Sequence, residues 1–411
     1  MEEEAKRDRI SEMPKEIKEQ ILSSLCMKDA IRTSSLSSVW RYTWVSLPFL
    51  DFGFDVFEQF TSYFKTLPIS HPKKRHLYCS IFHKAEEEED DSESSIDNTD
   101  YYKYTDSYAW KNDHQEVGYL QMMDELLQIY IKKNPSSRVL KKISLYVPML
   151  YDSKMRDYGA LVVSRCLSLV KHNVTELDYW INNFGECYRP KDSYYALQNC
   201  LHILDSKTLI KLELSGCYLD IEKNVDIPID LPNLKHLRLT NFNVDENMLE
   251  TLLAKCPALE KLVFFYCEGF KVLRIPMLSK LKELEVDQLR DFDRLEINAM
   301  SLQCLVLIND YTNKWKLKMD SNSCKSFVNL VLHGCDVTDD FFNNVAEFPH
   351  LETVSLIDCP KLKHIKITGN SLTSLKIEEC PNLSLAGFDT ALFRNSTVAS
   401  TTASLFQYEC V

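Results

Sequence analysis

Residues 259–275 read LEKLVFFYCEGFKVLRI, with apolar side chains at Leu259, Leu262 and Phe264, a cysteine at Cys267, and a second apolar triplet at Phe270, Leu273 and Ile275. The first triplet, apolar-x-x-apolar-x-apolar, begins again at Leu140, Val174, Leu209, Leu234, Leu281, Leu302, Phe327, Leu351 and Leu372. Successive starts from Leu140 to Leu372 lie 34, 35, 25, 25, 22, 21, 25, 24 and 21 residues apart. A unit of that length cannot bury its apolar side alone, so neighbours must stack and share one elongated core.

The pattern is the leucine-rich-repeat signature. It predicts an α/β chain in which residues 136–385 form a curved solenoid with a parallel β-sheet on its concave face. Cys217, Cys267, Cys335, Cys359 and Cys380 stand three residues after the last apolar strand position, which makes them structural. The returning halves differ. After Leu259, Leu281 and Leu351 a second apolar pattern follows (Phe270-Leu273-Ile275, Phe292-Leu295-Ile297, Leu362-Ile365-Ile367), whereas DENMLETLLAKCP and TDDFFNNVAEFP read as helices.

In such an array the strand residues that point away from the core carry recognition. Alternation places Val263, Phe265, Val306, Ile308, Val331 and Ile357 there, next to an acidic rung of Glu283, Glu285 and Asp287. These six apolar residues are the candidate target-binding set. Either they are open to a partner, or the C-terminal tail or the 53–110 segment folds over them.

Residues 8–52 read as a compact module of three helices. Pro14 suits a first helical turn, and Ile17, Ile21 and Leu25, joined by Leu22, continue one face. A second helix runs from Asp29, whose carboxylate caps it, to about Leu36. In the stretch LSSVWRYTWVSLP (36–48), helical spacing puts Leu36, Trp40, Trp44 and Leu47 on one stripe, to be covered by the chain's own core or by another protein. Residues 53–135 form an irregular connector. It contains an acidic run at 86–100 with nine acidic and no basic residues, read as a disordered loop, and a helix on Leu120, Met123, Leu127 and Ile131 that Asn134-Pro135 ends. Residues 386–411 are a tail.

Composition narrows the function. Nine glycines leave no phosphate-binding loop, and there is no nucleophile elbow, H-E-x-x-H or EF-hand loop. A net charge of −12 disfavours nucleic-acid binding, and no apolar run is long enough for a membrane span. The charged opening lacks a secretory signal, which implies the cytoplasm or the nucleus and a reducing setting for the fourteen cysteines. PKKRH at 72–76 resembles a short nuclear-import signal. His71, His76, Cys79 and His83 are the one metal-like group, but strand alternation sets His76 and Cys79 on opposite sides, so no metal or cofactor is expected.

The segment DRISEMPKEIKEQILSSLCMKDAIRTSSLSSVWRYTWVSLPFLDF resembles the F-box of the plant F-box leucine-rich-repeat family, including its FBD-type relatives. The shared pattern is D-R-I-S-x-L-P, I-L-S-x-L, T-S-x-L-S-x-x-W-R-x-x-W and P-x-L-D-F. The resemblance implies a noncatalytic substrate receptor of an SCF cullin-RING ubiquitin ligase, whose F-box docks on a Skp-type adaptor and, through it, a cullin. The repeats would then select the target protein. By the same analogy Met13, Pro14, Ile17, Leu22, Leu25, Ile31 and Leu36 face the adaptor, while Trp40 and Trp44 anchor the module internally. Met13 replaces the family's leucine, and Ser38 and Val39 replace its basic pair. No C-terminal FBD is expected in the closing stretch NSTVASTTASLFQYECV. The alternatives are a repeat scaffold that delivers nothing for ubiquitylation, a small-molecule-gated receptor and a hydrolase.

Overall fold

The computed structural model describes residues 9–66, 99–134, 140–148, 150, 153–171, 173–182, 203–219, 229–309, 316–319, 326–343, 349–365 and 372–383. Most of the acidic run, the PKKRH stretch, the histidine–cysteine group, Ile367 and the C-terminal tail fall outside them. Two compact units divide at Ile203/Leu204, within the range read as the repeat array.

The first unit opens with helices α1 (Lys15–Ser23) and α2 (Met27–Arg32). Pro14 stands just before α1 and accepts the Lys18 amide at its carbonyl. Asp29 lies inside the first turn of α2, bonded to Arg32, and Cys26 occupies the cap position where Asp29 was expected. The third helix is absent. Residues 33–35 and 43–46 are separate 3₁₀ segments joined by turns, so the expected single stripe breaks up. Trp40, Trp44 and Leu47 are buried, whereas Leu36 is 59% exposed. Serines and a β-branched valine across 37–39 favour local turn bonding over helix propagation.

The module's end, Phe49–Phe52, forms strand β1, which pairs in parallel with β2 (Lys142–Val147), and β2 pairs with β3 (Glu176–Ile181). Residues 53–66 are not irregular. Phe54–Thr66 is helix α3, and its Phe54 and Phe57 rings pack on Tyr146 and Trp180, the outward side chains of β2 and β3. Helix α4 (Thr99–Lys133) buries Leu120, Met123 and Leu127 as expected, but Tyr130 takes the place expected of Ile131, which is 39% exposed. Asp124 of α4 pairs with Arg165 of α5 (Ser153–Ser168) at 2.6 Å. The buried Tyr119 hydroxyl donates to the Phe52 carbonyl, and burial pushes its pKa well above the usual phenol range.

The second unit is the repeat array. Its strands β4 (Lys211–Ser215), β6 (His236–Thr240), β8 (Lys261–Phe265), β10 (Glu283–Asp287), β12 (Cys304–Ile308), β14 (Asn329–His333), β15 (Thr353–Ile357) and β16 (Ser374–Glu378) pair in parallel in that order. The parallel-strand solenoid is the fold the repeat spacing predicts, and it follows the N-terminal helices in the chain. Register places Leu237, Leu262, Leu284, Leu305 and Leu330 in one buried column. Full burial of one such side chain is worth about 1.5–3 kcal/mol, and a second buried column of Leu239, Phe264, Val286, Leu307 and Leu332 runs beside it.

On the return side lie the two-residue strands β5 (Tyr218–Leu219) and β7 (Asn243–Val244). Beyond them β9 (Val272–Ile275), β11 (Arg294–Ile297) and β13 (Lys316–Met319) make a second parallel sheet. β13 was not foreseen, and among the described residues no strand forms at Leu362–Ile365. Both helical returns are present, α6 (Glu246–Ala254), capped by Asp245, and the short α7 (Asp339–Asn343). The repeat cysteines close four of the turns. The thiols of Cys267, Cys335, Cys359 and Cys380 donate to carbonyls of the preceding strand, at Leu239, Leu307, Leu332 and Leu356.

Candidate functional site

Two surfaces carry the candidate residues, one on each unit. On the N-terminal module, α1 turns Leu22 and the stem of Lys18 inward, because Lys18 lies over the Trp40 ring at 5.9 Å and donates to the Ser11 carbonyl at 2.7 Å. That rotation leaves Ile17 and Ile21 outside, at 43% and 37% exposure. Leu22 is therefore core and offers no adaptor surface, contrary to the expectation. Met13, Leu25 and Ile31 are half-buried, Pro14 and Leu36 exposed, and Trp40 and Trp44 buried. Sequence reasoning missed Ile10, Ile21 and Val39, all of which are exposed. Of the twelve exposed large apolar side chains among the described residues, six lie between Ile10 and Tyr42. Such a concentration makes the module a candidate interaction surface.

On the array, the outward positions of β8, β10 and β12 face one another by register: Lys261–Glu283–Cys304, Val263–Glu285–Val306 and Phe265–Asp287–Ile308. Phe265, Val306, Ile308 and Val331 are half-buried. Val263 and Ile357 are 2% and 6% exposed, so neither offers open surface, which corrects the sequence reading; alternation gives the side of the sheet but not the height of the neighbouring side chains. Lys261 pairs with Glu283 at 2.7 Å. At the strand entry, Lys235 and Lys282 flank Glu260 at 3.0 and 3.1 Å and hold its carboxyl down to about 2.

Asp287 is different. It is 9% exposed, its Oδ1 has no hydrogen-bond partner, and burial, reinforced by the neighbouring Glu285 charge, pushes its pKa up to about 6. Only Phe265 and Ile308 face it from the flanking strands. Because the folded-state pKa lies above the usual carboxyl value of 3.8, the folded state holds the proton more tightly, and ionisation costs stability as pH rises from about 4 to about 6. Asp287→Asn is expected to stabilise the chain by about 1–3 kcal/mol at pH 7.5 and by little at pH 4, since one pKa unit corresponds to about 1.4 kcal/mol. Urea unfolding at the two pH values checks this.

An open cavity of about 820 Å³ on the return side is lined by Glu250, Arg274, Glu296 and Lys318. Its charges compensate one another, with Arg274 bonded to Glu246, Glu250 and Glu296 and Lys318 near Glu296. Among the described residues no group of three metal-ligating side chains converges, and no helix is long and apolar enough to cross a membrane.

Comparison with known proteins gives a domain match for each part of the chain. The F-box domain model matches residues 10–52, and the At1g61320/AtMIF1 leucine-rich-repeat domain model matches residues 131–329. The F-box/LRR-repeat protein At1g55660 of Arabidopsis thaliana is 26% identical over 390 residues, 90% of this chain and 79% of that protein. At3g03360, an F-box/LRR-repeat protein of the same plant, is 26% identical over 219 residues, 51% of this chain. The N-terminal part is nearer to its relatives, at 48% identity over 56 residues (14% of this chain, 13% of the relative) to the F-box/FBD/LRR-repeat protein At5g22700 of Arabidopsis thaliana. The match spans 44% of At3g03360, less than half that relative's length. The helical module and the parallel-strand array are thus matched by an F-box domain and a leucine-rich-repeat domain in that order, and the chain is similar over most of its length to a plant F-box/leucine-rich-repeat protein.

Proposed function

We propose that the chain is a noncatalytic substrate receptor of an SCF-type ubiquitin ligase, working in the cytoplasm, the nucleus or both. Its F-box holds a Skp-type adaptor and thereby a cullin, and its repeats hold the protein to be ubiquitylated, with no part for nucleic acid, membrane or cofactor. The observation that carries this reading is the exposed apolar set of Ile10, Ile17, Ile21, Leu36 and Val39 on a module that matches the F-box. A folded module leaves so many apolar groups in water when a partner covers them. Catalysis belongs to the other ligase subunits, and this chain contributes proximity.

Ile17→Asp combined with Leu36→Asp places charge on two exposed positions and spares the core. The double variant is expected to lose capture of a purified Skp-type adaptor while its melting temperature stays within about a degree, as for surface changes. Undiminished capture would remove this face from the reading. Co-purification of wild type with the adaptor but without a cullin would favour a scaffold over a ligase receptor.

A further inference from the structure

On the outward face of the array Lys211 pairs with Glu213, Lys261 with Glu283 and Lys376 with Glu378, while Arg238 of β6 is in no ion pair among the described residues. Glu285 and Asp287 are not in ion pairs among the described residues. They sit on one strand, two residues apart and on one side, between the apolar pairs Val263/Phe265 and Val306/Ile308. Asp287 is more than nine-tenths buried with an oxygen that bonds to nothing. An ionisable group is rarely left so, because a buried carboxylate without a partner costs free energy that a bound cation would return.

We infer that the outward face of β8, β10 and β12 receives a basic side chain of the bound protein, arginine in preference to lysine, with Asp287 and Glu285 as counter-ions. The guanidinium supplies paired donors to two carboxylates, and its plane and stem suit the Phe265 ring and the Ile308 side chain on either side. Glu283 is excluded from the site because Lys261 already occupies it. The inference rests on the receptor reading and names the chemistry its array selects.

The test uses the full chain with isotope-labelled isoleucine and valine methyl groups, titrated with the acetylated, amidated peptide Ala-Leu-Arg-Leu-Ala and its Lys, Gln and Glu counterparts. Saturable shifts are expected at the Ile308 and Val306 methyls with the Arg peptide, weaker ones with Lys, and none with Gln or Glu. Asp287→Asn and Glu285→Gln keep side-chain volume and should each weaken the Arg peptide about tenfold or more, the loss of one charge-assisted contact. The inference is overturned by the absence of saturable shifts at millimolar Arg peptide, by equal response to the Gln peptide, or by unchanged affinity in Asp287→Asn. Adaptor capture is measured on the same samples. Its loss in wild type would count against the receptor reading, whereas intact capture without an Arg response would sink only the inference.

Discussion

Trp40→Ala is expected to unfold the N-terminal module and to abolish adaptor capture, leaving the repeat array folded. Trp40 is 1% exposed, lies under Lys18 and shares the module core with Leu22, Ala30 and Trp44. Truncating a buried tryptophan costs about 3–5 kcal/mol through lost contacts and the cavity left behind. A module of some forty residues has about that much stability in total. Hydrogen exchange resolved by peptide checks the outcome, with protection lost across α1 and α2 and kept in β8 to β14. Retained protection in α1 with normal adaptor capture would show that Trp40 is not the anchor its burial indicates.

The second large effect belongs to Gly269→Ala, at the start of the extended return. Gly269 has φ +99, where side chains are strained, and a β-carbon there would lie 2.5 Å from the Val244 carbonyl oxygen and 2.8 Å from Asn243 Oδ1. Backbone cannot swing aside as a flexible side chain would, because Val244 is held by the hydrogen bond its N–H donates to the Glu268 carbonyl and by pairing of β7 with β5. Conformational strain and overlap together are expected to cost about 2–5 kcal/mol. The variant should lower the array's unfolding midpoint in urea and leave adaptor capture unchanged, the mirror image of Trp40→Ala. A midpoint equal to wild type would mean that the return segment shifts freely and is no part of the cooperative core.

What was legible in the sequence follows from local rules. Leu262, Phe264, Leu284 and Leu305 announce strands because alternation is a property of the backbone itself, and stacking repeats that signal at each turn. The cysteines were readable for the same reason, as one repeat position recurring. The two helical returns were visible in DENMLETLLAKCP and TDDFFNNVAEFP because an apolar face of period 3.6 needs no knowledge of what covers it.

The rest depended on who packs against whom. The segment from Leu36 to Leu47 has helical spacing, yet it forms turns that send Trp40 and Trp44 inward and Leu36 outward. Leu22 and Ile17 belong to one helix, and only the position of Trp40 and Lys18 decides that the first is core and the second surface. β1 exists because residues 142–147 offer an edge some ninety residues later, a pairing no window of sequence contains. The acidic rung was legible as three carboxylates. That Lys261 neutralises Glu283 while Asp287 stays buried and unpaired between Phe265 and Ile308 is set by strand register. The sequence by itself determined the repeat, the strands of its main sheet and the presence of a helical module before it, since these follow from short-range periodicity. Tertiary structure decided which of those residues meet solvent and which charges stand alone, since burial and electrostatic pairing are properties of neighbours distant in the chain.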